Sequence, residues 1–411
     1  MQSLFGTFKR LLRDMRNQKL RTLMTMFGIL WGTMSVVLLM GFGTGLYDAQ
    51  MERFKGLGTN IAIVWSGMTS QPWQGLPRGR RIRFTEEDIA SMKANLRTPQ
   101  RISPEFSSYN VNLRVKRNTR LARVAGVWPE FSEMRNLIPM EGGRFINAFD
   151  IAEKRRVIFV GDELATNLFG TTRVVGEKVM VNNVPFTIIG VLKRKQQNSS
   201  YSGRDYRQSW IPASTFKTMW SYRYPDNFIV QSRVPAEMEA VKKEIFDFMA
   251  RKYKFDPNDT EALSIWDTTQ GIKFFANFFA AFRAFLVAIG CMTLITGGIG
   301  VTNIMNVVLE ERTKEIGIKM ALGAKKRTIM TQFLSETVVL TAIGGLLGFG
   351  LAALVISVFP ESLTEYLGRP KINVFGSAFA IGVLGIIALT SGFFPAKRAA
   401  NLEPVKALKL F

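Results

Sequence analysis

The sequence predicts an α-helical membrane protein: four transmembrane helices and one large α+β domain outside the membrane. Three observations predict it. Four apolar runs, 23–46, 284–308, 333–359 and 374–394, each exceed the about 20 helical residues that cross a hydrocarbon core of about 30 Å. Residues 47–283, between the first and second runs, mix strand-like and helix-like patterns. And 47% of the chain is hydrophobic although its mean hydropathy is only +0.09, as expected of a chain partly in lipid and partly in water.

Glycine recurs inside the spans, at Gly297, Gly298 and Gly300 and at Gly344, Gly345, Gly348 and Gly350, where close helix packing in lipid favours it. The first span is too long for the apolar region of a signal peptide, and no small-x-small cleavage pattern follows it, so it reads as a retained anchor. Ahead of it, Leu4, Phe8, Leu11, Leu12 and Met15 recur at helical spacing. Lys9, Arg10, Arg13 and Arg16 fall largely on the other side, and residues 1–22 read as a cytoplasmic amphipathic helix lying on membrane lipid.

The formal charge of +22 is distributed in a way that orients the spans. Six Lys/Arg against one Asp precede the first span, six against three acidic residues fill 309–332, and four against one fill the tail 395–411. The short loop 360–373 is balanced, with Arg369 and Lys371 against Glu361 and Glu365. Short basic loops stay in the cytoplasm, which puts both termini and 309–332 inside and 47–283 outside a cell (inner) membrane. The outside segment is also basic, by about twelve charges, but long loops cross largely regardless of charge. Its basic residues are scattered and form no nucleic-acid motif, so nucleic acid is not an expected partner.

Catalysis is not expected of these residues. With no histidine and a single cysteine, Cys291, the chain cannot form an internal disulfide, a His/Cys-rich zinc site or a histidine acid–base pair. Cys291 reads as a small packing residue in a span. No GxxxxGK[ST] loop is present, since GAKKRT at Gly323 lacks the first glycine and its spacing; no ATP site and no cofactor are expected. In the outside segment, 60–65, 121–127 and 155–160 read as strands, and 178–181 and 184–192 as a hairpin around Asn182-Asn183. A helix start is marked by Thr85, Glu87 and Asp88; 162–169 and 236–252 read as helices, and the acidic and serine residues as solvated surface.

The most telling stretch is EERTKEIGIKMALGA, residues 310–324, a charged helix caught between two spans. Glu310–Lys314 and Glu315–Lys319 have the Glu-before-Lys i,i+4 order that supports a helix, and Gly323 offers a stop before the next span. Carried on through 337, this stretch resembles the loop and third-span entry of the FtsX-type membrane module. FPAKRAANLEPVKALK at 394–409 is similar to the end of that module, at Pro395, Ala399, Pro404 and Ala407–Leu408. GGRFINAFD (142–150), VGDELATNLFG (160–170) and VGEKVMVNNVPFTIIGVL (175–192) look like the outside domain of MacB-like proteins. Nearly the whole chain thus resembles the permeases of MacB-like (type VII) ABC systems.

That resemblance implies more than composition does. It implies a porter-like lobe at 58–125 and 214–267 with an inserted sabre-like lobe at 126–213, and a stalk continuing the first two spans outward at 47–54 and 268–283. Phe274, Phe275, Phe278, Phe279 and Phe282 would pack the stalk or a dimer. It implies a permease homodimer or heterodimer working with a separate ABC ATPase subunit, which binds the ATP, and in some systems a periplasmic adaptor (membrane fusion protein) and an outer-membrane channel. Contact with the ATPase would fall on the coupling segment 309–332, at Glu310, Glu311, Arg312, Glu315, Gly317, Lys319, Gly323 and Ala324. The function implied is mechanotransmission, in which ATP-driven motion below the membrane drives export of a substrate already outside it. A lipoprotein-releasing permease and an FtsX-like regulator of an outside hydrolase share the module and stand as alternatives, as does a sensor or scaffold needing no ATPase.

Overall fold

In the computed structural model, residues 19–197 and 199–403 are described. Up to residue 18 the expected amphipathic helix lies outside the described residues, as do 404–411 of the tail. The chain separates into an outside unit, Met51–Ala276, and a membrane unit of the residues up to Gln50 and from Asn277.

Nine strands form the sheet of the outside unit: β1 Ile61–Ser66, β2 Arg101–Val115, β3 Asn118–Val127, β4 Val157–Val160, β5 Lys178–Val181, β6 Val184–Val191, β7 Gln208–Pro212, β8 Asn227–Gln231 and β9 Leu263–Asp267. Six of them close on themselves. β2 pairs with β3, β3 with β7, β7 with β4, β4 with β6, β6 with β5, and β5 with β2 again at Leu113↔Val181. Strand alternation turns Phe106, Val124, Ile158, Val181, Ile188 and Ile211 into one buried cluster. The first half of β2 leaves this ring and pairs with β8, and β1 and β9 extend the antiparallel sheet from there. Along β1 alternate residues face opposite ways. Ala62 and Val64 meet the helices Glu86–Asn95 and Met238–Tyr253 through Ile89, Met92, Val241 and Ile245, while Ile61 and Ile63 belong to a second cluster with Phe131 and Trp210.

Local signals account for several of these elements. Thr85 caps the helix Glu86–Asn95 in a capping box with Asp88. Asn182 and Asn183 both have positive φ, +46° and +67°, as the tight turn between β5 and β6 requires. The helix Asp162–Phe169 ends on Gly170, left-handed at φ +78°. The expected lobe limits at 126 and 213 fall inside β3 and at the start of the helix Ala213–Trp220.

The expectation that acidic residues of this domain are solvated is corrected. Asp88, Glu105, Asp150 and Asp205 have buried side chains, each held by a cation. Glu105 accepts from Arg123 at 2.7 Å and from the Tyr201 hydroxyl at 2.6 Å. Asp205 accepts from Arg135 at 2.8 Å, and Lys195 lies 2.8 Å from its other oxygen. Arg135 and Lys195 tie down the segment joining β6 to β7, because Arg135 also donates to the Leu57 carbonyl and Lys195 to those of Arg135 and Asn136.

Four helices among the described residues are long and apolar enough to cross a membrane. They are Lys19–Lys55, Thr268–Glu311, Lys326–Ser357 and Val374–Ala400, with the short helix Glu361–Leu367 between the last two. At 1.5 Å per residue the second is about 66 Å long, more than twice the hydrocarbon core. The third crosses the first closely, and a Cβ at Gly348 would strike the Leu30 carbonyl. In the fourth, buried Pro395 has no N–H for the Ser391 carbonyl, and the Thr302 hydroxyl of the second helix donates to that oxygen at 3.3 Å. Thr268 follows β9 with no intervening residue; its hydroxyl donates to the Ile61 carbonyl, and Asp267 accepts from the Thr269 N–H and hydroxyl.

Candidate coupling site

The charged segment forms the helix Thr313–Ala321, and it is barely separated from the second spanning helix. Only Arg312 leaves helical geometry, at φ −99° and ψ 7°, while its N–H still donates to the Val308 carbonyl and its carbonyl accepts from Ile316. The far end stops sharply. Ala324 N–H donates to the Lys319 carbonyl and Gly323 N–H to that of Met320, the paired bonds of a Schellman cap, with Gly323 at φ +93°. Lys325 then takes an extended conformation and the third spanning helix begins at Lys326. Four residues, Leu322 to Lys325, therefore turn the chain from the helix Thr313–Ala321 to the span, and the glycine is required by its φ; space is not the constraint, since nothing lies within 4 Å of a Cβ built there.

One face of this helix is buried. Ile316, with Met320 and Ala324 beside it, packs into a cluster with Leu309 of the second spanning helix, Ile329 and Phe333 of the third, and Ala396 and Ala399 of the fourth. The opposite face carries Glu311, Glu315, Ile318 and Leu322, at helical spacing and exposed, Leu322 to 84%. Among the residues expected to touch an ATPase, Glu310, Glu311, Glu315 and Gly323 are exposed, and Arg312, Lys319 and Ala324 are half-buried. Gly317 is buried, turned toward the spans. Lys319 pairs with Glu315 at 2.6 Å, while Arg312 reaches Glu336 of the third spanning helix at 3.2 Å. Sequence reading missed Ile318 and Leu322, which the same helical periodicity that placed Glu315 outward could have found. It also missed Glu336, the one charged residue in the third apolar run.

The phenylalanines of the second spanning helix divide by face. Phe275 packs on Phe54, with ring centroids 4.6 Å apart, and Phe279 on Tyr47 at 5.7 Å. Phe274 and Phe278 point away, 66% and 54% exposed, and Phe282 stacks on Phe278.

Residues 22–247 match the family described as MacB-like periplasmic core domain, and residues 274–404 match the FtsX-like permease C-terminal family. The chain belongs to the MacB-like permease family. A relative from Bdellovibrio bacteriovorus, named macrolide export ATP-binding/permease protein MacB, is 28% identical over 95% of this chain and 59% of its own length. Another of that name from Neisseria meningitidis serogroup A is 30% identical over 95% of this chain and 58% of its own. The chain thus spans a little under three fifths of the length of these MacB relatives. The crystal structure of the periplasmic region of MacB from Actinobacillus actinomycetemcomitans aligns with a TM-score of 0.43 at 17% identity, covering 55% of this chain and 97% of that one. In the MacB-like family the chain is a membrane permease with an extracytoplasmic α+β domain.

Proposed function

We propose that this chain is the membrane subunit of a MacB-like exporter, in which a separate ATPase chain below an inner membrane moves the coupling helix and the spans pass that motion to the outside domain. The observation that carries this reading is the near-continuous helix from Thr268 to Ala321. Its backbone hydrogen bonds persist through Arg312, so a push on Thr313–Ala321 has no slack segment in which to dissipate before the second span. The ATPase contact is the exposed face of Glu311, Glu315, Ile318 and Leu322, with Glu310 beside it. An apolar pair flanked by carboxylates suits a groove with an apolar floor and a basic rim. Both termini lie in the cytoplasm. The outside domain works as porter-like and sabre-like lobes on a substrate already outside, and the relatives' name makes a macrolide the first substrate class to test. Two copies, or this chain and a paralogue, pair through Phe274 and Phe278. The second helix exceeds the hydrocarbon core by about 36 Å, so part of it stands in water, where lipid does not cover those rings. An adaptor and an outer-membrane channel would complete the export path.

The test is copurification and turnover. The chain alone is expected to hydrolyse no ATP, because these residues contain no phosphate-cradling loop. With its ATPase it is expected to copurify, and Leu322→Asp and Glu315→Lys are expected to break that association while leaving expression unchanged. Retention of the ATPase by both variants would remove this face from the contact.

A further inference from the structure

Glu336 is a carboxylate where the sequence offers lipid-facing helix. It lies about three turns into the third spanning helix and is 7% exposed. Ionisable side chains inside spans are costly, and they are kept where they pair and act. Its charged partner among those described is Arg312, the one residue at which helical geometry lapses between the second span and the coupling helix. The guanidinium reaches the two carboxylate oxygens at 3.3 and 3.2 Å, and Gln332, one turn earlier on the same helix as Glu336, donates to one of them at 3.3 Å. Residues one or two turns from the pair on the same elements, Leu309 before the break, Ile316 after it, and Ile329 and Phe333 on the third span, belong to one buried apolar cluster. Glu336 is buried and Arg312 half-buried, and an ion pair so far withdrawn from water gains little over the apolar pair that could replace it, so stability alone does not explain its presence; its best-attested use is to fix one arrangement against others.

We infer that Arg312 and Glu336 form a latch that fixes the angle of the coupling helix to the third span, so that displacement of Thr313–Ala321 moves the second and third spans together. Arg312 is thereby a positioning residue inside the membrane unit and not a contact for the ATPase. The inference rests on the reading of the coupling helix given above, and one arm of its test does not depend on that reading.

The experiment uses the full chain in four forms besides the native one: Glu336→Gln, Arg312→Glu, Glu336→Arg, and the double exchange Arg312→Glu with Glu336→Arg. Spin labels replace exposed Lys314 and Arg327, with Cys291→Ser to remove the native thiol. In detergent or nanodiscs the native chain and the double exchange are expected to give one narrow distance distribution. Glu336→Gln and the single reversals are expected to give a broadened one. The same distribution in all five forms, or a double exchange no narrower than the single reversals, would overturn the latch whatever the partner.

The second arm uses the chain with its ATPase and erythromycin as probe. Glu336→Gln is expected to keep ATPase copurification within about two-fold of native while export falls at least ten-fold, and the double exchange is expected to recover a third or more of native export. Loss of copurification in Arg312→Glu that the double exchange does not restore would make Arg312 an ATPase contact, overturning the latch and leaving the exporter reading intact. If the native chain neither retains an ATPase nor exports the probe, the exporter reading fails and the distance arm still judges the latch. Should a charge reversal fail to accumulate, Glu336→Gln, which keeps the side-chain shape, decides by the same two readouts.

Discussion

Asp205→Ala tests whether the outside domain is held by charges that its sequence gave no sign of burying. The carboxylate is fully buried against Arg135, itself 2% exposed, and beside Lys195. Removing it does not affect the two cations alike. Lys195 keeps two backbone carbonyls, at 2.7 and 3.2 Å, but among the described residues Arg135 keeps the Leu57 carbonyl at 2.8 Å and the ring of Tyr201, 4.8 Å away, to offset a buried charge. Breaking a buried pair by deleting one partner costs about 3–5 kcal/mol. In a domain of 150–250 residues each kcal/mol lowers Tm by about 2–4 °C, so a loss of roughly 6–20 °C is expected. Tryptophan fluorescence of the full chain in detergent reads it, because six of its seven tryptophans (65, 73, 128, 210, 220 and 266) lie in the outside domain. Replacing both partners, Arg135→Met with Asp205→Leu, is expected to recover most of the loss, as removal of a whole buried pair usually does. A fall of less than about 3 °C for Asp205→Ala would mean that water or a neighbour readily solvates Arg135, and the argument for a dry charged core would fail.

Three other outcomes are expected. Cysteine at Ser221 labels with an impermeant thiol reagent in spheroplasts while cysteine at Thr313 or Asn401 does not; outside labelling of Thr313→Cys would invert the topology. Gly323→Val costs about 1–2 kcal/mol, because a β-branched residue must adopt the cap's positive φ, too little to prevent insertion. Export is expected to fall at normal expression, and full export would reduce the segment to an ordinary turn. The third outcome is acid sensitivity. Burial raises the pKa of Asp88, but hydrogen bonds from Lys252, Tyr253 and the Thr85 N–H outweigh it and hold the carboxyl below its usual range. At Asp150 burial is likewise outweighed, by Arg144 and the Asn147 N–H. The folded state therefore binds fewer protons than the unfolded one, and both contributions, complete above about pH 4, are lost as pH falls through the folded-state values. Asp150→Asn is expected to flatten the acid limb of a Tm-against-pH curve; an unchanged limb would refute the assignment.

The spans were legible because one signal, an apolar run of sufficient length, decides them. Their outward ends were not legible from hydropathy: the first and second helices run on to Lys55 and back to Thr268 through polar residues, and only the family resemblance implied that continuation. Helix caps at Thr85 and Gly323 and the Asn182-Asn183 turn were readable, since each needs only neighbours in sequence. The strand β2 was not. Its RISPEFSSYNVNLRV holds Pro104, Glu105 and three serines, and what it buries is satisfied by Arg123 on the paired strand β3 and by Tyr201, far away in the chain. β7, β8 and β9 were missed as well, each five residues long and identified by pairing more than by pattern. At the candidate site the charges were visible and their directions were not. Periodicity puts Glu315 and Leu322 on one face, but only packing shows that Gly317 turns inward and that Arg312 meets a carboxylate on another helix.

The junction of β9 with the second spanning helix has a rotational consequence. Strand residue Asp267 and helix residue Thr268 are adjacent, and both are bonded in place. The helix is therefore keyed in phase to the sheet, like a shaft seated without play. One inserted residue would rotate the start of the helix by about 100°, carrying Phe274 off its present face. The connection from Lys55 to Ile61 is built otherwise: residues 56–60 intervene, with Gly58 at φ +130° and the Leu57 carbonyl held by Arg135. Of the two links within this domain, only the one at β9 passes from strand to helix without a connecting residue.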